Sequence, residues 1–169
     1  MSNGLHEFSR EWQIETRGTL ELLRALPRDS YDVRPDPGGR SIGELAWHLA
    51  EIDAYVTFAI ERGTFAFDQK PPNIQRPRTI EALAPAFEVV HADAVARVAR
   101  LSDADLDRSI ENVDGKTIRD LLWRKLILHT VHHRGQLTLL CRLAGGVSPG
   151  LYGPTREDTA VRQPTVAAR

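Results

Sequence analysis

Residues 117–146 read TIRDLLWRKLILHTVHHRGQLTLLCRLAGG, and this stretch decides the fold. Thr117 with Asp120 in the first turn is a helix start, and Gly145-Gly146 is a double stop. Between them Ile118, Leu122, Leu126, Leu137 and Leu140 recur at helical spacing, which predicts the longest helix of the chain. The same stretch carries His129, His132 and His133, half of the 6 histidines present. At about 100° per residue, four residues return to within roughly 40° of the starting direction and rise about 6 Å. His129 and His133 therefore leave one face of the helix, and it is the face of Ile118, Leu122 and Leu140 that turns to the core.

Working outward, Ser41 and Glu44 form a capping box ahead of the apolar stripe Leu45, Leu49, Ile52, Val56 and Ile60, a helix that closes near Gly63. His48 lies on that stripe, at a level where it can face the pair in the last helix. A first helix runs from Leu5 to Leu26 through Phe8, Trp12, Thr19, Leu22 and Leu23, and Pro27 ends it. A third runs from a cap at Thr79 to about Leu101 through Leu83, Phe87, Val90, Ala94 and Val98, with Pro85 expected to kink it or delay its start. Pro71, Pro72 and Pro77 make Thr64 to Arg78 a long crossover between the second and third helices, and Ser109 to Gly115, with the turn pair Asp114-Gly115, reads as a loop. Four helices with no strand pattern predict an all-α four-helix bundle over residues 1–155, followed by a mobile, polar tail over residues 156–169.

Composition narrows the function. The chain has 169 residues, 41% hydrophobic and 27% charged, which suits one soluble domain with no membrane span. The first ten residues mix His6, Glu7 and Arg10 with apolar positions, unlike a secretory signal, so a cytoplasmic location is expected. With 22 basic against 23 acidic residues and no basic stripe, nucleic acid is not an expected partner. Cys141 is the single cysteine, which rules out an intrachain disulfide and a thiolate metal cluster.

A metal must then use nitrogen and oxygen donors. One inward histidine such as His48 is most simply a core residue bonded to a backbone carbonyl. A pair at four-residue spacing is different, because two buried imidazoles without partners are costly and one ion satisfies both. We therefore assign His48, His129 and His133 as ligands of one divalent transition metal with an open fourth position, and rank zinc and nickel first. His132 turns about 100° from His133 and reads as a supporting or reserve ligand. His6 and His91 have no neighbour at ligand spacing. Glu44, Glu51 and Asp53 read as solvated or supporting groups, and there is no phosphate loop, no Gly-x-Ser-x-Gly elbow and no Glu-x-x-His pair of the di-iron type.

His48 in the second helix, the run His129-x-x-x-His133-Arg134-Gly135-Gln136 and the later Tyr152-Gly153-Pro154-Thr155 resemble the DinB/YfiT-like proteins. The resemblance spans Leu5 to about Thr155. It implies a bundle in up-down-down-up order, a metal on three histidines and a homodimer. It also implies one of three functions for this site: a thiol S-transferase using a low-molecular-weight thiol such as bacillithiol, mycothiol or glutathione on a small-molecule electrophile, a metal-dependent hydrolase, or a non-enzymatic metal-binding stress-response module. The first is placed ahead. Trp123, Ile127, Val131 and Cys141 fall away from the His129 direction, so the last helix has a second apolar face. Either a second copy of the chain or a neighbouring helix of the same chain covers it, and the resemblance favours the second copy.

Overall fold

The computed structural model describes residues 4–66, 68–113 and 116–162, and it is helical. Helix α1 spans Gly4–Ala25, α2 Ile42–Arg62 and α3 Ile80–Val98. A last helical run consists of α4 over Ile118–Leu121, a π-helical segment over Leu122–His129 and α5 over Thr130–Leu143. Among the described residues the extended pairings are isolated bridges, Thr64 with Glu111 and Ser109 with Thr117. No helix there is long and apolar enough to cross a membrane.

Local chemistry sets the helix ends. The Ser41 hydroxyl accepts from the Glu44 N–H at 3.2 Å and the Glu44 carboxylate accepts from the Ser41 N–H at 2.9 Å, so both halves of the capping box are present. Gly63 closes α2 at φ 76°, a conformation that other residues adopt only with strain. Thr117 and Asp120 form a second box at the start of α4. Thr79 precedes α3 in extended conformation without a side-chain cap, and α3 begins at Ile80 with Pro85 inside it, so the proline does not delay the start.

Helix α2 is the central element: it packs on α3, α5 and the π segment, while α1 packs on α3, α5 and the π segment from the other side. Trp47, Leu49 and Ala50 of α2, Phe8 and Leu22 of α1, Leu83 and Ala94 of α3, and Ile118, Leu122, Leu126 and Leu137 of the last run are buried in one core. The crossover after α2 is stitched to the loop before α4, since the Phe65 N–H donates to the Glu111 carbonyl and the Glu111 N–H to the Gly63 carbonyl, both at 3.0 Å. The turn pair Asp114-Gly115 lies outside the described residues.

Four sequence expectations need revision. The last helix is not α-helical throughout, and its π segment breaks the 100° rotation between Ile118 and His129. The buried pairs Leu121-Leu122 and Leu126-Ile127 repeat at five residues, the spacing of a π turn. Ile127 is 7% exposed and Cys141 fully buried, while the Trp123 ring meets Phe8 edge-on at 6.0 Å. The second apolar face is therefore largely covered within the chain, because the run packs between α1 and α2. Asp53 is buried, with Oδ2 2.7 Å from His91 Nδ1, instead of solvated. Finally, residues Arg156–Arg162 form a short helix, α6, opened by reciprocal Thr155 and Asp158 bonds and tied to Arg142 through Glu157. The remainder of the expected tail, 163–169, is outside the described residues.

Gly43 is a tight approach in the core: a Cβ there would lie 2.4 Å from the Tyr31 ring, whose hydroxyl donates to the Pro77 carbonyl at 2.5 Å. Gly43→Ala must displace that ring or α2 itself, at a cost of about 1–3 kcal/mol. Urea denaturation should show a lowered midpoint with an unchanged slope, and an unchanged midpoint would mean that Tyr31 swings aside freely.

Candidate metal centre

The centre is built where α2 faces the junction of the π segment and α5. His129 closes the π segment with α-helical dihedrals, φ −68° and ψ −39°, and α5 continues directly from it. The four-residue spacing to His133 therefore keeps its α-helical meaning although the run before it does not. The Nε2 atoms of His129 and His133 are 2.8 Å apart, and the His48 ring lies 4.8 Å from that of His133 and 5.6 Å from that of His129. One donor atom from each of the three falls within 4.8 Å of the others, a group that could hold a metal ion. Tetrahedral zinc with Zn–N near 2.0–2.1 Å places neighbouring nitrogens about 3.3 Å apart, inside the range spanned here. The donor set fits the ion.

Two of the three outer nitrogens have a partner three residues along their own helix. His48 Nδ1 is 3.1 Å from Glu51 Oε2, and His133 Nδ1 is 2.7 Å from Gln136 Oε1. A carboxylate and an amide oxygen accept, so both Nδ1 atoms carry the proton and both Nε2 atoms turn a lone pair inward. In the short contact between the pair, His129 Nε2–H then donates to His133 Nε2, and a bound metal would replace that proton. The Gln136 amide nitrogen faces His132 Nε2 at 3.2 Å; His132 is exposed and stays outside the group of three. Glu51 and Gln136 hold roles that residue type alone did not assign, although their common i+3 spacing from a histidine was visible.

Charge and burial favour the neutral, metal-ready state. Burial pushes the His129 imidazole down to about 4, helped by His133, Lys125 and His48. His133 is also lowered, first by burial, against an opposing bond from Gln136. Beside the centre opens a cavity of about 540 Å3 whose wall includes His48, His129 and Glu51, with Ile52, Val56 and Leu121 among its apolar lining. Cys141 is no part of it: burial raises its thiol pKa and the side chain points to the Ala25 carbonyl. His91 is also elsewhere, between Asp53 and the Thr16 hydroxyl and stacked on Phe87, where it joins α1, α2 and α3.

Comparison with known proteins agrees with this architecture. A family model described as the DinB family matches residues 1–166. The uncharacterised protein YrdA of Bacillus subtilis strain 168 is 27% identical over 161 residues, 95% of each chain. Among solved structures, a DinB-like protein from Bacillus cereus ATCC 10987 superposes with a TM-score of 0.69 at 28% identity, covering 86% of this chain and 95% of that one. A DinB-like protein from Bacillus subtilis, YjoA, gives 0.72 at 22% identity over 88% and 99% of the two chains, a likeness of fold.

The depressed His129 pKa has a signed consequence for the metal-free protein. Above pH 6.5 the imidazole is neutral in folded and unfolded chains alike, so its environment costs nothing. Between about 6.5 and 4 the unfolded chain takes up a proton that the folded chain resists, so stability falls as pH falls. Thermal unfolding of metal-free protein should lose Tm across that window, and His129→Gln should flatten the loss. Parallel curves for the two proteins would show that His129 is not held neutral by its surroundings.

Proposed function

This chain belongs to the DinB family, and we propose that it is a cytoplasmic metal-dependent thiol S-transferase acting on small electrophiles. The observation that carries the reading is the convergence of three inward imidazoles at one end of an apolar-walled cavity. His48, His129 and His133 would hold one divalent ion, zinc or nickel first, with the remaining position toward the cavity. Such an ion lowers the pKa of a thiol or water brought to it and polarises an electrophile. Glu51 and Gln136 keep the imidazoles oriented through their Nδ1 protons. Glu51, which lines the cavity, would take the thiol proton as the S–C bond forms and the leaving group departs with its electron pair. The same centre would make a hydrolase if it held water in place of a thiol, with Glu51 then taking the water proton.

Purified protein should contain close to one metal per chain by elemental analysis. His133→Ala should lose most of it and keep its helical circular dichroism, because the core and not the ion holds the helices. His132→Ala should retain it. Full metal content in the His133 variant would remove the assignment. With the metal in place, turnover of an aryl halide such as 1-chloro-2,4-dinitrobenzene should require added thiol and fall by about 100-fold or more in His133→Ala. Turnover of ester or amide substrates without thiol would select the hydrolase, and an occupied metal with neither activity would select the stress-response module.

We also propose a homodimer. Ile127 is buried within the chain, so the dimer contact would use the outward side of the last run, where Leu128, Leu139 and Leu143 are 58%, 59% and 66% exposed. Light scattering should give twice the chain mass, and Leu139→Asp should halve it while the metal remains. A wild-type monomer at tens of micromolar would end this reading.

A further inference from the structure

Three cations line the cavity beside the histidines. Arg40 precedes α2, Lys116 precedes α4 and Lys125 lies in the π segment, so three separate parts of the chain bring positive charge to one concavity. None of the three has an ion-pair partner among the described residues. Among the described lining residues Glu51 is the one carboxylate, and it is engaged by His48. This is a local feature, because the whole chain carries a net charge of −1. Several arginines elsewhere do pair off, Arg97 and Arg100 with Glu61, Arg119 with Asp107 and Arg142 with Glu157. The wall also carries an apolar set, Ile52, Val56, Phe65, Val113 and Leu121, beside Tyr55, Asn112, Glu51 and the histidines.

We propose that this cavity binds an anionic amphiphile, a small organic acid whose carboxylate or equivalent acidic group sits among Arg40, Lys116 and Lys125 while its carbon skeleton covers the apolar wall. The inference rests on reading the cavity as the substrate site, and it names the substrate class. Unpaired charges around a low-dielectric concavity focus a positive potential there, which raises the local concentration of an anion and orients it. An apolar wall favours a carbon chain over a bare inorganic ion. The acidic group can belong to the thiol or to the compound it attacks; the chemistry recognised is the same.

The test uses hexanoate, 1-hexanol and 6-mercaptohexanoate, titrated by amide chemical-shift perturbation into the full chain, both metal-free and zinc-loaded. At low salt hexanoate should bind at least about tenfold tighter than 1-hexanol, and added salt should erode that preference. Each of Arg40→Gln, Lys116→Gln and Lys125→Gln should weaken hexanoate by about three- to tenfold, with the alcohol unaffected. Arg17→Gln with Lys70→Gln, which alters net charge away from the cavity, should change neither. Equal binding of acid and alcohol, or a triple variant that keeps the full preference, overturns the proposal. A gain of 6-mercaptohexanoate over hexanoate confined to the zinc-loaded protein supports it with the acid on the thiol; equal binding supports it with the acid on the other reactant. Because the metal-free arm reads the cations alone, an anion preference that persists in protein unable to hold metal would leave this inference standing and remove the metal-centre reading.

Discussion

The buried guanidinium of Arg134 is the constraint on which the site depends. It is 1% exposed, in the middle of α5, and it bonds to the side-chain carboxylate and backbone carbonyl of Glu15, to Tyr152 and, at 3.3 Å, to the Thr19 hydroxyl. Gly18 leaves room for it: a Cβ there would stand 3.1 Å from the guanidinium. A buried charge whose partner is removed costs about 3–5 kcal/mol, so this contact fixes the rotation of α5 against α1 with little freedom. His133 is the preceding residue, about 100° around the helix. With Arg134 held against α1, His133 is turned toward α2 and His48. The Tyr152 hydroxyl also donates to Glu15 at 2.6 Å, which draws the segment after the last helix into the same lock.

Two histidine environments in one bundle show what separates a packing role from a ligand role. His91 has both ring nitrogens engaged, one by the buried Asp53 carboxylate and one by Thr16, and its faces are covered by Trp12 and Phe87. Nothing is left to offer an ion. His48 and His133 each have one nitrogen engaged, by Glu51 and Gln136, and the other aimed at a common point. Burial disfavours imidazolium at His129 and His133, and the neighbouring Lys125 and Arg40 add to it. The basic wall of the cavity therefore also helps to hold the donors neutral.

The π segment is where regular periodicity gives out and the site begins. It carries the run from the α4 cap to His129, placing Leu121, Leu122, Leu126 and Ile127 all in the core while Lys125 and Leu121 reach the cavity wall. A π turn widens the helix and is tolerated where a functional arrangement needs it. A regular α-helix through the same residues would rotate His129 relative to the buried leucines before it.

The amino-acid order by itself determined the four helical stretches, the caps at Ser41 and Thr117, the stop at Gly63 and the pairing of His129 with His133, because each depends on neighbours within about four residues and on backbone bonds that close locally. The placement of His48 on a buried stripe was equally local. Which side of the bundle each stripe faces was not. The burial of Asp53 against His91, the lock of Arg134 on Glu15 and the gathering of Arg40 with Lys116 and Lys125 around one cavity bring together segments from about 40 to nearly 120 positions apart. Charged residues on a helix read alike whether they meet water or one another, since the difference lies in what another segment presents to them. That is a property of packing, and only the tertiary structure decides it.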